Sequence, residues 1–174
     1  MKMLRLFAAG LLLCFAAAAS ASPSEPKNGV EYLTLPQTLP TDTGSKVEVI
    51  EFFAYYCPHC NAFEPLLEEW VKKQGANIVF KRVHVPYSPS VLPQQRLFYT
   101  LEAMGLLEKY HQKVFDAMHK DQRLRLGSDE EVFDWAAQNG IDRAKFAEAY
   151  RSFGVTAHVR RAGTMMSVYH INFW

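Results

Sequence analysis

The sequence predicts an α/β protein in which a strand–helix–strand unit precedes a long helical segment. Between residues 47 and 85, two apolar runs rich in β-branched and aromatic side chains flank a stretch with helical spacing. After Pro93 the spacing becomes helical and stays so, with glycines between successive stretches. Because a helix joins the two strands, the crossover rule predicts that they pair in parallel.

The first apolar run predicts a buried strand over residues 47–55, which leads directly into Cys57. The helix after Cys57 is expected to end at Gly75, and residues 78–85 are expected to form the next strand. A further short edge strand is predicted over residues 30–35. The apolar face of the helix is expected to consist of Phe63, Leu66, Leu67, Trp70 and Val71.

Five helices are predicted in the remainder of the chain. Ser128 and Glu131 have the spacing of a capping box, and Asp142 is placed to cap the helix that follows it. The predicted helices cover residues 94–104, 106–120, 129–139, 143–153 and 156–169.

The first 21 residues have the pattern of a secretory signal peptide. Lys2 and Arg5 precede an apolar run that ends in small residues, as at a signal cleavage site. The run is shorter than a typical membrane span, although an uncleaved anchor is the alternative. We therefore expect export, with residues 22–174 long enough for one domain with a core.

The charge of the chain is nearly balanced, with 19 basic and 18 acidic residues and a formal net charge of +1. Nucleic-acid-binding domains are usually strongly basic. The composition therefore argues against nucleic acid as a partner, and we expect a monomer.

Cys57 and Cys60 carry the strongest chemical signal, because two thiols separated by two residues can form a disulfide. They lie at the predicted strand-to-helix junction, where unpaired N–H groups and the helix dipole stabilise a thiolate on Cys57. Pro58 suits the first helical position, and His59 can add positive charge. Cys60, one turn further along, is expected to be the resolving thiol.

Other uses of a Cys-x-x-Cys pair fit this sequence less well. A zinc site needs four ligands, but there is no second cysteine pair and no close histidine pair. Haem attachment requires histidine directly after Cys60, where Asn61 stands. A purely structural disulfide across so short a loop gives little stabilisation. We therefore expect a redox-active dithiol with no metal and no cofactor.

The stretch Glu-Phe-Phe-Ala-Tyr-Tyr-Cys-Pro-His-Cys at residues 51–60 resembles the DsbA family of periplasmic thiol:disulfide oxidoreductases. The similarity extends over most of the chain after the signal, including the strand ending in His84-Val85 and the helices after it. The resemblance implies a thioredoxin-like fold with an inserted helical domain. Residues 22–88 would then form the thioredoxin-like part, 89–155 the helical insertion, and 156–174 a helix returning to the first part.

The resemblance also assigns the site residues. Cys57 would be the nucleophile and Cys60 the resolving cysteine of a redox-active disulfide, tuned by Pro58 and His59. Glu51, six residues before Cys57, would be a buried proton-relaying carboxylate with Arg82 as its partner, where the family more usually has lysine. The alternative is that Glu51 points to solvent. His84 is expected to be a packed strand residue rather than a catalyst.

The chain differs from the family pattern near its end. Thioredoxin folds have a cis-proline loop opposite the cysteines, followed by two strands and a helix, but no proline follows Pro93 and the sequence ends at Trp174. We therefore expect the C-terminal ββα part to be missing, as in a truncated product.

The function implied by the resemblance is disulfide formation in newly exported proteins with free thiols. Reoxidation would come from a membrane quinone-linked oxidase such as DsbB. One alternative within enzymes is a disulfide reductase or isomerase. The alternative outside enzymes is a catalytically impaired remnant, or a thioredoxin-like protein that binds peptides without turnover.

Overall fold

A computed structural model describes residues 25–121 and 124–171 of the chain. It divides into two compact units, Met1–Pro40 and Thr41–Trp174. The predicted signal peptide, residues 1–21, lies outside the described residues. Within the described ranges, no helix combines the length and the apolar character that crossing a membrane requires.

In the first unit, a hydrogen-bonded turn replaces the edge strand predicted over residues 30–35, so that prediction is wrong. The Gly29 N–H donates to the Tyr32 carbonyl at 2.7 Å, and the Thr34 N–H donates to Oδ1 of Asn28 at 3.0 Å. Asn28 and Tyr32 form an isolated bridge. Gly29 has a φ of 87°, which glycine tolerates, and the segment satisfies its backbone locally instead of pairing as a strand.

In the second unit, two parallel strands form the predicted strand–helix–strand arrangement. Strand β1 covers Val47–Phe53 and β2 covers Ile78–His84, in a register that runs from Val47 opposite Ile78 to Phe53 opposite His84. Helix α1, Pro58–Gln74, connects them and ends where Gly75 adopts a φ of 54°. The predicted strands, their parallel pairing and the helix end are confirmed.

The predicted apolar face of α1 is wrong. Leu67 is buried, but Phe63, Leu66 and Trp70 are exposed, Leu66 to 64 %. The fully buried partner of Leu67 on this helix is a charged residue, Glu64. The inner face of α1 therefore includes a charged side chain that belongs to a buried ion-pair network. A prediction based on the spacing of apolar residues cannot detect such a face.

The five later helices occur as predicted, with ends shifted by a few residues. Ser128 accepts from the Glu131 N–H, but the Glu131 carboxylate bonds the Gly127 N–H rather than that of Ser128. Asp142 caps its helix through the Lys145 N–H. The helices are α2 Leu92–Ala103, α3 Leu107–Asp116 with a π-helical turn Ala117–Asp121, α4 Asp129–Gln138, α5 Arg143–Tyr150 and α6 Phe153–Val168.

An aromatic cluster joins the end of β1 to the helices. The Phe53 ring lies edge-on to Tyr55 at 5.2 Å and to Phe98 of α2 at 5.1 Å, and Tyr55 meets Phe115 of α3 at 5.0 Å. All four side chains are buried. The cluster therefore anchors the chain just before Cys57.

The last helix, α6, packs along α2, and the Tyr169 ring at its end lies 5.3 Å from the Phe52 ring of β1. This contact is in line with a helix that returns to the strands. The division of the chain into segments 22–88, 89–155 and 156–174 stays a prediction.

Candidate active site

Cys57 is the residue that caps helix α1. Its φ of −80° and ψ of 116° are extended, and its Sγ accepts a hydrogen bond from the Cys60 N–H at 3.4 Å. The Cys57 N–H donates to the Ala54 carbonyl at 3.1 Å, closing the turn between β1 and the helix. The sulfur of Cys57 therefore lies where the unpaired N–H groups of a helix stabilise negative charge.

The two cysteines are free thiols and both are half-buried. Burial raises the pKa of Cys60 to about 12, and the neighbouring Cys57 and Glu51 act in the same direction. Cys60 is therefore a protonated thiol at neutral pH. A protonated Cys60 fits the role of a resolving thiol, which takes a proton when the disulfide opens.

Pro58 and His59 occupy the exposed first turn of α1. Pro58 is at the start of the helix, where a backbone N–H would have no partner within the helix, so the N–H that proline lacks costs no hydrogen bond. The His59 side chain faces solvent beside the cysteines. Both residues are therefore accessible from solvent next to the cysteines.

Glu51 and Arg82 face each other across the two strands, as predicted. They are register partners, and Arg82 Nε donates to Glu51 Oε2 at 3.1 Å. The Glu51 side chain is only 11 % exposed, so the alternative that it points to solvent does not describe this structure. Burial raises the pKa of Glu51 to about 7, with the Glu64 charge adding to the rise and Arg82 opposing it.

Glu64 is a site residue that the sequence analysis missed. It is fully buried on α1, and its Oε1 bonds the Arg82 guanidinium and lies 3.5 Å from His111 Nε2. Burial alone would raise the pKa of Glu64, but His111 and Arg82 hold it below its usual value. One guanidinium thus serves two carboxyl groups, which favours one ionised and one protonated carboxyl.

The spacing of Glu64 could have revealed it. Cys60, Glu64 and Leu67 follow one another at helical intervals of four and three residues, so they share a face of α1. If Cys60 faces inward, Glu64 must also face inward. The apolar pattern of Phe63, Leu66 and Trp70 pointed instead to the solvent-exposed side.

Two tyrosines lie beside the cysteines. The Tyr56 ring, next to Cys57 in the chain, lies 5.8 Å from the Tyr87 ring, and Tyr87 is largely exposed. Burial raises the pKa of Tyr56 to about 12. The pair offers an aromatic surface next to Cys57.

His84 is buried at the end of β2, in agreement with the expectation that it packs in the strand rather than acts on substrate. Burial lowers its pKa to about 3, so the imidazole is neutral.

A comparison with known protein families matches residues 40–98 to the thioredoxin family. Among curated proteins, the thiol:disulfide interchange protein DsbA of Burkholderia cepacia is 43% identical over 156 residues, covering 88% of this chain and 73% of that protein. DsbA of Azotobacter vinelandii is 39% identical over 155 residues, covering 89% and 72% of the two chains.

Solved structures give the same result. Pseudomonas aeruginosa DsbA superposes with a TM-score of 0.74 at 34% identity, covering 80% of this chain and 72% of that one. A variant of the same protein reaches a TM-score of 0.81 at 33% identity, covering 86% and 80%. NmDsbA1 of Neisseria meningitidis has a TM-score of 0.70 at 28% identity, covering 81% and 74%.

Proposed function

The chain belongs to the DsbA family and is a thiol:disulfide oxidoreductase with a thioredoxin-like fold, and from this we propose that it donates its Cys57–Cys60 disulfide to newly exported proteins. The observation that carries the proposal is the position of Cys57 at the start of α1, with the Cys60 N–H donating to its sulfur. A thiolate held this way is a good leaving group and favours the reduced enzyme, so the disulfide is readily given away.

The reaction begins when a substrate thiolate attacks Sγ of Cys57 in the oxidised enzyme. The Cys57–Cys60 bond breaks, a mixed disulfide forms at Cys57, and the Cys60 sulfur takes a proton. A second substrate thiolate then attacks the substrate sulfur of the mixed disulfide and releases Cys57 as a thiolate. The substrate loses two electrons and two protons in forming its disulfide. The enzyme takes up both electrons, Cys60 takes one proton and the other is released to solvent, which leaves a Cys57 thiolate and a Cys60 thiol.

We propose that Glu51 exchanges the proton of Cys60, because the Glu51 charge acts on the Cys60 thiol and raises its pKa. With a pKa near 7, its carboxyl group can both give and accept a proton at neutral pH, whereas Cys60 cannot stay a thiolate. Arg82 keeps the Glu51 carboxyl oriented through the Nε bond. We assign Glu51 and Arg82 to proton handling, and Pro58 and His59 to tuning the exposed side of the site.

The partners follow from the family and the sequence. Substrates would be newly exported chains with free thiols, met in the periplasm after removal of a signal peptide at residues 1–21. The dithiol product must be reoxidised, and we propose a membrane quinone-linked oxidase of the DsbB kind for that step.

The first test is a redox titration of the purified chain against glutathione buffers, with thiols alkylated and counted by mass. A Cys14→Ser background makes the count report Cys57 and Cys60 alone, since the sequence has 3 cysteines. We expect the disulfide to be reduced under conditions that leave glutathione mostly oxidised. A titration like that of an unstructured Cys-x-x-Cys peptide would contradict the proposal.

A second test follows oxidative refolding of a reduced model protein. Oxidised glutathione is supplied as the oxidant for every chain. Cys57→Ser should abolish the acceleration, whereas Cys60→Ser, once Cys57 has been oxidised by glutathione, should accumulate a mixed disulfide between Cys57 and the substrate, visible by mass. If Cys57→Ser refolds the substrate as fast as the unmodified chain does, Cys57 is not the exchanging cysteine.

A further inference from the structure

Tyr55, two residues before Cys57, is held by three histidines. Its backbone N–H donates to Nε2 of His84 at 3.2 Å, and its hydroxyl lies 2.9 Å from Nδ1 of His111. Its backbone carbonyl lies 2.7 Å from Nε2 of His119. Each polar group of this completely buried residue therefore ends on an imidazole, an arrangement we call the Tyr55 histidine clamp.

The chemistry of the partners fixes the direction of each bond. His84 is neutral, so its Nε2 can accept from the Tyr55 N–H. Burial raises the pKa of the Tyr55 hydroxyl and lowers that of His111, so a protonated hydroxyl meets a neutral ring. The Glu64 carboxylate oxygen, 3.5 Å from Nε2, favours the tautomer with its N–H on Nε2, in which Nδ1 accepts from the Tyr55 hydroxyl. A carbonyl only accepts, so His119 must donate through Nε2.

The three histidines come from separate parts of the fold. His84 ends strand β2, His111 lies in helix α3, and His119 lies in the π-helical turn after α3. Two of the three bonds therefore tie the helical segment to the backbone and hydroxyl of a residue at the end of β1. The Phe115 ring packs between these two attachments, 5.2 Å from His111 and 6.2 Å from His119.

The clamp acts on a short and tightly connected stretch of chain. Only Tyr56 separates Tyr55 from Cys57, and the Cys57 N–H is bound to the Ala54 carbonyl directly before Tyr55. The Cys60 N–H donates a hydrogen bond to the Cys57 sulfur and so stabilises it. The strength of such a bond falls steeply as its angle and distance depart from the favourable values. A shift of the Tyr55 peptide would therefore move the Cys57 sulfur relative to the Cys60 N–H and weaken the hydrogen bond between them.

We propose that His119, together with His111, is a positioning residue for Cys57, through which the helical segment sets the redox equilibrium of the cysteine pair. The role rests on the proposed oxidase function, because it concerns the thiolate that this function requires. His119 and His111 do not touch the substrate; they hold the Tyr55 backbone and hydroxyl so that the Cys57 sulfur stays at the helix N-terminus.

The test compares His119→Ala with His119→Gln, whose side-chain amide retains a donor for the Tyr55 carbonyl. His158→Ala serves as control, because His158 contacts Tyr99 and Glu102 rather than Tyr55. For each chain we measure the equilibrium constant with glutathione, the rate of mixed-disulfide formation at Cys57, and the free energy of unfolding. Folding stability alone would report a merely structural contact, whereas the redox equilibrium of the folded protein reports positioning.

We expect His119→Ala to make the pair at least threefold less oxidising in its equilibrium constant with glutathione. His119→Gln should stay within twofold of the unmodified chain, and His158→Ala should match it. If the unmodified chain is oxidising and His119→Ala is equally so, the positioning role is overturned while the oxidase function stands. Equal loss in His119→Ala and His119→Gln also overturns it. An unmodified chain without oxidising character overturns the oxidase proposal instead.

Tyr55→Phe decides the matter if His119→Ala does not fold. It keeps the ring among the aromatic side chains and removes only the hydroxyl bonded to His111. A fall of at least twofold in the same equilibrium constant supports the clamp, and an unchanged constant overturns it.

Discussion

At the residue scale, the buried contacts of Glu51 and Arg82 determine the protonation of the Glu51 carboxyl. The Arg82 side chain is 12 % exposed and bonds both Glu51 and Glu64. Two ionised carboxyls around one guanidinium leave an excess negative charge in a poorly solvated place. Burial is the main cause of the raised pKa of Glu51 and the Glu64 charge adds to it, so this carboxyl is able to hold a proton at neutral pH.

Glu51→Gln should change how stability depends on pH. The folded-state pKa of Glu51, about 7, lies above the model-peptide value of 4.5. Between these values the unfolded chain has lost the proton and the folded chain has kept it, so stability falls as pH rises. The unmodified chain should therefore lose on the order of 3 kcal/mol relative to Glu51→Gln from pH 4.5 to 7, and level off above that.

The measurement is urea unfolding of both chains from pH 4 to 8. Subtracting the two curves cancels the titration of the groups that do not interact with Glu51. A difference that does not vary with pH, or that grows in favour of the unmodified chain, would show that Glu51 is not a carboxyl with a raised pKa.

Arg82→Ala should destabilise the fold strongly, because it leaves two buried carboxyls without a cation. We expect a loss of about 3–5 kcal/mol in the free energy of unfolding at pH 7. Arg82→Lys should lose less, since an ammonium retains the charge but not the planar fork that meets both carboxyls.

The matched control is Lys81→Ala, one position earlier on β2. Lys81 pairs with Asp42 and Glu48 near the surface, and such pairs are worth about 0–1 kcal/mol. Chemical denaturation of the three variants compares them. A similar effect at positions 81 and 82 would mean that the buried network does not depend on Arg82.

At the scale of the element, most of the large apolar side chains of helix α1 lie outside its inner face. It presents Leu67 and Glu64 inward, while Phe63, Leu66 and Trp70 face outward. In this orientation the helix begins at Cys57, packs Cys60 against the core and buries Glu64 beside Arg82 of β2. The rotation of α1 about its axis therefore agrees with the buried position of Glu64 and not with the spacing of its apolar residues.

Adjacent leucines on α1 provide a direct check of this rotation. Leu67 is 8% exposed and Leu66 is 64% exposed. Leu67→Ala should cost about 2–4 kcal/mol in the free energy of unfolding, whereas Leu66→Ala should stay within about 0.5 kcal/mol. Urea or guanidinium unfolding distinguishes them. The reverse order would mean that the helix is rotated as its apolar pattern suggested.

At the scale of the whole molecule, one connected core runs from the strands through the helices. It joins the aromatic cluster at the end of β1 to the interior of α4 and α5, where Trp135 is 3% exposed and its ring lies 6.1 Å from Tyr110. The site is therefore supported by packing that begins in the helical segment, and the Tyr55 histidine clamp is the polar part of the same support.

Near-UV circular dichroism should report this core through Trp135, which can be compared with Trp70, the other tryptophan among the described residues. Trp135 is held in a fixed aromatic environment, while Trp70 is 41% exposed on α1. We expect Trp135→Phe to remove a large part of the tryptophan signal and Trp70→Phe to change it little. A spectrum that depends mainly on Trp70, or no near-UV signal at all, would contradict the packed core.

The sequence by itself determined the elements and the chemistry that is local to them. Strand propensity, capping residues and glycines located the two strands and the helices to within a few residues. The predicted junction between strand and helix placed Cys57 and Cys60 at a helix N-terminus. These features depend on residues close together in the chain, so a short stretch of sequence is enough to predict them. The pairing of Glu51 with Arg82 was reached through family resemblance and parallel strand order.

Only the tertiary structure decided which side chains meet around the site. The bond between Arg82 and Glu64 and the bonds from three histidines to Tyr55 join residues that are 18 to 64 positions apart in the chain. The rotation of α1 also became visible only in the folded chain. A lone histidine or a glutamate in a helix has no local pattern that marks its partner. Their contacts follow from how the helices pack over the end of β1, and the edge strand predicted at residues 30–35 failed for the same reason, since a strand exists only where a partner is available to it.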